Sequence, residues 1–443
     1  MLVASSIVLL GPIPINGSSV MPERKQEEQK VSLIAMLEDQ GDPGRWKFLI
    51  QPALQELRIR HPGTDIQLNY MTFPYGVARA QLLRTLTNNT PVDLVSLDQI
   101  WLGEFAQKGL LTELDDKVKS WGRQGDWYEA NWDGGIFGGK VYGIWAWTDI
   151  RGIWYWKDLL AKAGVNPDEL KTWDGYLASA RKLNGVLRPQ GIEGIHLTGA
   201  GHSPDLWYPY LWMLGGEILK IRAGHPTKGS YWFPAYNSTE GIRAMQFIKD
   251  QIDAGIKPQK NHFWGKEFLD RRFAVMIEAL QHHINEKFPI TSAEKMNEFK
   301  QRVGFIPMFP VPDAAQETSS LMGGWELAIP KTSLHKDLAW EMLSIMLEPK
   351  VLAPYLASHS NLPTQIPIGE GTSSTLLNET TPYYTELIHL LREGGHGRPS
   401  IAEYPRIAED IHQALDSVYY GRKDPKQALD DAAANSAKIL GWR

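Results

Sequence analysis

VSLIAMLEDQGDPGRWKFLIQPALQELRIRHPGTDIQLNY, residues 31–70, carries the pattern that decides the fold. VSLIAML (31–37) is a near-continuous apolar run, as a strand covered on both faces requires. EDQGDPG follows as a loop. Trp46, Leu49, Ile50, Ala53, Leu54 and Leu57 then recur at helical spacing, and His61-Pro62-Gly63 ends the helix. Pro52 lies inside that pattern and predicts a kink or a late start. DIQLNY (65–70) alternates as a strand does. Further out, the spacing predicts a helix over 76–87, a strand at DLVSL (93–97) and a helix containing Ile100, Trp101 and Phe105. This alternation argues for a parallel sheet with helices on both faces.

The same signals continue downstream. KDLLAKAG is a short helix closed by Gly164. Thr172 is placed to cap the next helix, with Asp174 in its first turn. A helix is predicted over 239–254, strands at 274–279, 302–308 and 326–330, and an amphipathic helix at 335–347. Asp424-Pro425 starts the last helix. No stretch reads as a long interdomain linker, so two lobes would be joined by strand crossings.

Of 443 residues, 43% are apolar, enough for two cores, and the formal net charge is −5. That balance gives no support to nucleic-acid binding. No cysteine is present, which excludes disulfides, thiolate metal sites and a cysteine nucleophile. Residues 1–30 read as a signal-like segment and flexible leader: 2–15 is an apolar run of signal-peptide size, and 22–30 is charged. Phosphate-loop, HExxH and GxSxG patterns are absent, and no cofactor or metal is implied. GGIFGG (134–139) reads as a turn. His282-His283 has no metal-type spacing around it.

IWAWTDIRGIWYW (144–156) raises the functional question. Indole offers a rigid plane to the apolar face of a pyranose, and carboxylates or Arg suit its hydroxyl rim. Such pairs recur: Asp98 with Trp101, Trp145 and Trp147 with Asp149, Tyr231-Trp232, Trp325-Glu326. Trp154 and Trp156 alternate onto one face and read as core. Trp145 and Trp147 also alternate together, beside charge, and read as ligand-facing. Trp325 follows Gly323-Gly324, where bare backbone lets a ligand come close. Trp121, Trp127, Trp132 and Trp173 read as structural.

Four segments resemble the extracellular solute-binding proteins of ABC importers, family 1, in the cluster that binds maltose, trehalose and related oligosaccharides. They are PVDLVSLDQIWLGEFAQKGLLTELDD (91–116), GGKVYGIWAWTDIRGIWYWKDLLAKAGV (138–165), LWMLGGEIL (211–219) and GGWELAIPKTSLHKDLAWEMLSIMLEPK (323–350). RRFAVMIEALQHHI (271–284) departs from the family's return strand, and the lipid-attachment cysteine of many members is missing.

The resemblance implies a two-lobed α/β fold like that of periplasmic binding proteins. Each lobe would be a mainly parallel sheet flanked by helices, with a ligand cleft between them. Residues 31–146 plus 272–325 would form the N-terminal lobe and 147–271 plus 326–443 the C-terminal lobe. Crossings would fall near 145–150, 268–274 and 322–330. By similarity, ligand-side roles go to Asp98, Trp147, Asp149, Trp232, Gly324 and Trp325, with Glu38, Asp39, Tyr75, Trp101, Tyr208 and Arg406 beside them. Glu38, Asp39 and Asp98 follow strands, where open α/β sheets place ligands. The implied protein is not an enzyme. It is an extracytoplasmic monomer that holds a neutral sugar, closes about a hinge and meets permease transmembrane subunits. A glycoside hydrolase, needing only two carboxylates about 5 to 10 Å apart, and a carbohydrate adhesin are the competing readings.

Overall fold

The computed structural model describes residues 29–39, 41–198, 204–259, 265–307, 315 and 318–442. The signal-like segment at 1–28 lies outside the described residues, as does residue 308 of the expected 302–308 strand. Two sheets organise the chain. The strands that build them are β1 (Gln29–Glu38), β2 (Thr64–Phe73), β3 (Leu94–Asp98), β4 (Gly143–Ile150), β5 (Gly152–Trp156), β6 (Glu193–Ile195), β7 (Phe273–Glu278), β8 (Val303–Ile306), β9 (Ser320–Ala328), β10 (Leu362–Pro363) and β11 (Gly395–His396).

The opening β–α–β pattern forms as the sequence dictates. β1 pairs in parallel with β2 along its whole length and with β3 at Ala35 and Met36. The intervening helix, Lys47–Arg60, runs through Pro52 and buries Leu49, Ile50, Ala53, Leu54 and Leu57. The first sheet has the order β10–β4–β9–β3–β1–β2, with β11 on the start of β9. The second has the order β8–β5–β7–β6. Strand directions are more mixed than expected. β9 is antiparallel to both β3 and β4, and β5 is antiparallel to both β7 and β8.

One residue, Arg151, separates β4 in the first sheet from β5 in the second, so the crossing expected near 145–150 falls at Ile150–Gly152. The division expected at residue 272 is redrawn. β7 and β8 pair with β5 and belong to the second sheet, whereas the expectation placed 272–325 with the first. Helices Lys336–Met346 and Pro349–His359 pack on the Lys47–Arg60 helix of the first lobe, and β10 pairs with β4. The C-terminal helices Tyr404–Tyr419 and Pro425–Ile439 pack on Thr239–Asp253 of the second. The physical reason is that an apolar strand run carries no record of which sheet it joins. Thr172 and Asp424 cap their helices through bonds from Gly175 N and Gln427 N.

A register shift separates Trp145 from Trp147. Trp147 lies opposite Trp325 and Trp145 opposite Glu326, so β4 advances two residues where β9 advances one. The extra residue breaks the two-residue alternation that would put both indoles on one face. Trp147 is enclosed between Trp46 and Tyr355, at ring distances of 5.1 and 5.2 Å. The Trp145 ring lies instead against Gly134 and Gly324. The carbonyls at the shift are held by side chains: Trp127 Nε1 donates to Trp145 O at 2.8 Å, and Thr364 Oγ1 donates to the same oxygen at 2.7 Å.

Gly324 serves this packing. Its φ is +151°, and a Cβ there would lie 2.1 Å from Trp145 Nε1 and 2.4 Å from Trp147 O. The space a side chain would fill is thus taken by the protein itself. Gly324→Ala is expected to destabilise the fold by about 2 to 4 kcal/mol, through overpacking and a disfavoured φ. Urea unfolding checks this; a loss within experimental error would mean that β4 and β9 separate readily.

Candidate ligand-binding site

Side chains from both lobes meet beyond the end of β3. Asp98, its last residue, is buried. Its Oδ2 accepts the Tyr75 hydroxyl at 2.9 Å, and its Oδ1 accepts Ile100 N–H at 3.3 Å. The same Oδ1 accepts Nη2 of Arg398 at 3.3 Å, and Nη1 of that guanidinium donates to Asp205 Oδ2, also at 3.3 Å. Asp205 is the middle residue of the short turn Pro204–Leu206 before helix Tyr208–Met213 of the second lobe. Arg398 therefore joins a carboxylate of each lobe while only 5% of its side chain is exposed. Its loop is fixed from the first lobe: Gln99 Nε2 donates to Arg398 O at 2.9 Å and to Ser400 Oγ at 2.7 Å.

Aromatic rings surround this bridge. Tyr75 stacks on Trp101 at 5.3 Å, and Trp325 meets Trp101 edge-on at 5.7 Å and Tyr75 at 6.1 Å. Trp325 is placed by register, directly opposite Asp98 across β3 and β9. On the second-lobe side the Tyr404 hydroxyl donates to Tyr208 OH at 3.0 Å, and Tyr208 packs on Trp212 at 5.4 Å. Tyr75 is 44% exposed as a residue, but its hydroxyl is enclosed against Asp98. Burial and then the Asp98 charge push that phenol well above its usual pKa, so it stays a donor. Burial also raises Asp98, despite Arg398, Tyr75 and Ile100, which favour its anion. Arg398 itself is raised: the two carboxylates outweigh its desolvation. Indole and phenol planes beside two carboxylates and a guanidinium bind by stacking and charge-assisted hydrogen bonds. Among the described residues no group of three or more His, Asp or Glu could hold a metal.

The structure brings Asp98, Tyr75, Trp101, Trp325 and Tyr208 together. It places the other expected residues elsewhere. Trp147 is enclosed behind the sheet, as above. Glu38 and Asp39 are buried at the end of β1; Trp46 Nε1 donates to Glu38 O at 2.6 Å, and Asp39 Oδ1 accepts Gly41 N at 2.9 Å. Trp232 lies on the hairpin Leu219–His225/Gly229–Pro234, where its carbonyl accepts Trp442 Nε1 at 2.7 Å. Arg406 is exposed on helix Tyr404–Tyr419. The cation at the site is Arg398, eight residues earlier. Its segment GGHGRPS (394–400) is a glycine-rich loop entering a proline, a signal of a fixed turn that carries no mark of ligand chemistry. Asp205 and Tyr404 likewise carry no local mark of ligand chemistry in the sequence.

Asp149 belongs to a second cluster, at the crossing. It forms an ion pair with Arg151; its Oδ1 accepts Gly323 N at 2.9 Å, and its Oδ2 lies 3.3 Å from His282 Nε2. Arg151 Nε is 3.9 Å from Glu278 Oε1. Burial pushes Asp149 up, but the Arg151 charge and the His282 and Gly323 bonds outweigh it and hold the carboxyl far below the usual range.

Two α/β lobes joined by a one-residue strand crossing, with an aromatic and acidic site where they meet, define a bilobal ligand-binding protein. The profile of the bacterial extracellular solute-binding proteins matches residues 47–353, and the chain belongs to that family. It is 26% identical over 394 residues to a putative binding protein of Brucella abortus (strain 2308), covering 86% of this chain and 87% of the relative. It is 23% identical over 305 residues to the arabinooligosaccharide-binding protein of Bacillus subtilis (strain 168), covering 66% and 64%. The GacH receptor of Streptomyces glaucescens, solved unliganded and with acarbose, superposes with a TM-score of 0.74 at 21% identity, over 93% of this chain and 100% of that one.

Asp149→Asn is expected to cost about 2 to 4 kcal/mol at neutral pH, because it leaves the buried Arg151 under-paired. A depressed carboxylate stabilises above its unfolded value, about 3.9, and that stability is lost as pH falls through the folded value. The difference between wild type and variant should therefore narrow with acid. Urea unfolding at descending pH measures it; equal stability at neutral pH would free Asp149 for a ligand.

Proposed function

We propose that this chain is the substrate-binding component of an ABC-type importer and captures a neutral sugar or oligosaccharide between its lobes. The observation that carries the reading is the Asp98–Arg398–Asp205 bridge between the lobes, with Tyr75, Trp101 and Trp325 beside it. Aromatic planes take the C–H faces of a sugar ring, and the charged groups take its hydroxyls. A hydroxyl-rich neutral guest suits a site whose single bridging cation already serves two carboxylates; a phosphate would need more positive charge. The sugar specificities in the names of two similar proteins, one for arabinooligosaccharides and one solved with acarbose, point the same way.

Ligand bridging both lobes would shift the population toward the closed arrangement, with bending at Ile150–Gly152. The closed form would be presented to permease transmembrane subunits at the outer face of the membrane, the protein acting as a monomer and the ligand leaving unchanged. Among the described residues no helix is long and apolar enough to cross a membrane.

A thermal-shift panel of neutral mono- and oligosaccharides should yield ligands that raise the melting temperature by mass action. For the best of them, Trp325→Ala should weaken binding by about 1 to 3 kcal/mol in calorimetry, as loss of an aromatic anchor does. No shift with any sugar contradicts the proposal. Cleaved sugar recovered from the mixture, at a rate set by Asp98, would establish a hydrolase instead.

A further inference from the structure

Glu326 is completely buried on β9, one residue from Trp325. Neither of its carboxyl oxygens has a hydrogen-bond partner. The pocket around it is built by an absence. A Cβ on Gly143 would sit 2.6 Å from Glu326 Oε2 and 2.9 Å from Leu102 Cδ1. Gly143 does not have a positive φ, so its backbone does not demand glycine. What requires the missing side chain is the packed carboxyl. Across the sheet Glu326 lies opposite Leu97 on β3 and Trp145 on β4, and Trp145 Nε1 is a buried polar atom without a partner too.

Among the described residues, the charged groups nearby offer this carboxyl no cation. On β3 the ionisable neighbour is Asp98, itself an acid. On helix Leu102–Gln107 Glu104 is committed to Arg79 at 2.9 Å, and on β4 Asp149 is committed to Arg151. An ionised carboxylate in this position would be a buried charge with no counter-ion and a like charge as neighbour, which is among the costliest arrangements in a fold. Gln or Met would fill the same volume without that liability. We propose that Glu326 is held as a neutral carboxylic acid behind the Trp325 platform, and that its proton supports the ligand site: loss of the proton drives a second negative charge against Asp98 and loosens the site. Burial and then Asp98 raise the Glu326 pKa well above its usual value, in agreement with this geometry.

Glu326 is a positioning residue in this scheme. It lies against Gly143, where a Cβ would meet its carboxyl, and acts on ligand through Trp325 and Asp98. The role rests on the sugar-binding reading; the protonation does not. An acid whose folded pKa lies above its unfolded value stabilises fully below the unfolded value, about 4.3. That stability is lost as pH rises toward the folded value. Relative to wild type, Glu326→Gln should therefore gain melting temperature progressively from about pH 5 to about pH 8. Glu326→Met, which keeps the volume and carries no acid, gives the same readout if the glutamine variant does not accumulate.

Calorimetry with a sugar found in the thermal-shift panel supplies the second arm. Wild-type affinity should fall by about fivefold or more between pH 6 and pH 9, while the glutamine variant stays flat. A stability difference independent of pH overturns the neutral acid. A pH-dependent stability difference with equal affinity profiles overturns its link to the site. Absence of binding to any sugar by either protein refutes the link and the functional reading together, and leaves the melting curves to decide the proton.

Discussion

Arg398 is the constraint on which the site depends. Its guanidinium is buried between Asp98 of the first lobe and Asp205 of the second, and none of the three would be tolerable there alone. The desolvation cost of each charge is offset by the others only when the two lobes hold their present relation. The bridge therefore sets geometry more than it adds stability. The rings of Tyr75, Trp101 and Trp325 depend on the same relation. Trp325 is opposite Asp98 by strand register, and Tyr75 is tied to Asp98 through its hydroxyl.

The crossing at Arg151 is the counterpart of that bridge. Its backbone is fixed to β9 by Ser320: Arg151 N donates to Ser320 Oγ at 3.1 Å, and the hydroxyl donates back to Arg151 O at 2.7 Å. Its side chain pairs with Asp149 on β4 and lies near Glu278 at the end of β7. The two lobes are thus linked by one charged cluster at the crossing and another at the site. Both use a buried Arg between acids, and β9, which carries Gly323, Trp325 and Glu326, runs past both. Under the proposed function, rotation about the crossing opens or closes the Arg398 bridge.

Much of this was legible in the sequence. The apolar run at 31–37, the helical spacing after Trp46 and the short strand at 93–97 gave the parallel core of the first lobe, because strand and helix periodicities are local properties. Asp98 beside Trp101, and Trp325 after its glycine pair, were legible as acid and aromatic chemistry, whereas Tyr75 came only from the family resemblance. Trp145 and Trp147 were not separable by alternation, because a register shift depends on the partner strand. Arg398 was invisible for a related reason. Its partners are about 300 and 193 residues away in the chain, and nothing local distinguishes it from Arg406. The strands at 273–278 and 303–306 joined the second sheet rather than the expected first, because the choice of sheet rests on tertiary pairing, while 320–325 lies in the first sheet as expected.

Small-angle scattering of wild type and Arg398→Met, with and without a saturating neutral oligosaccharide, tests the bridge most directly. Expected is a smaller radius of gyration for wild type on adding sugar, with the change diminished in the variant. A wild-type protein that binds sugar at unchanged radius, or a variant that compacts as fully as wild type, would contradict a ligand site closed by Arg398.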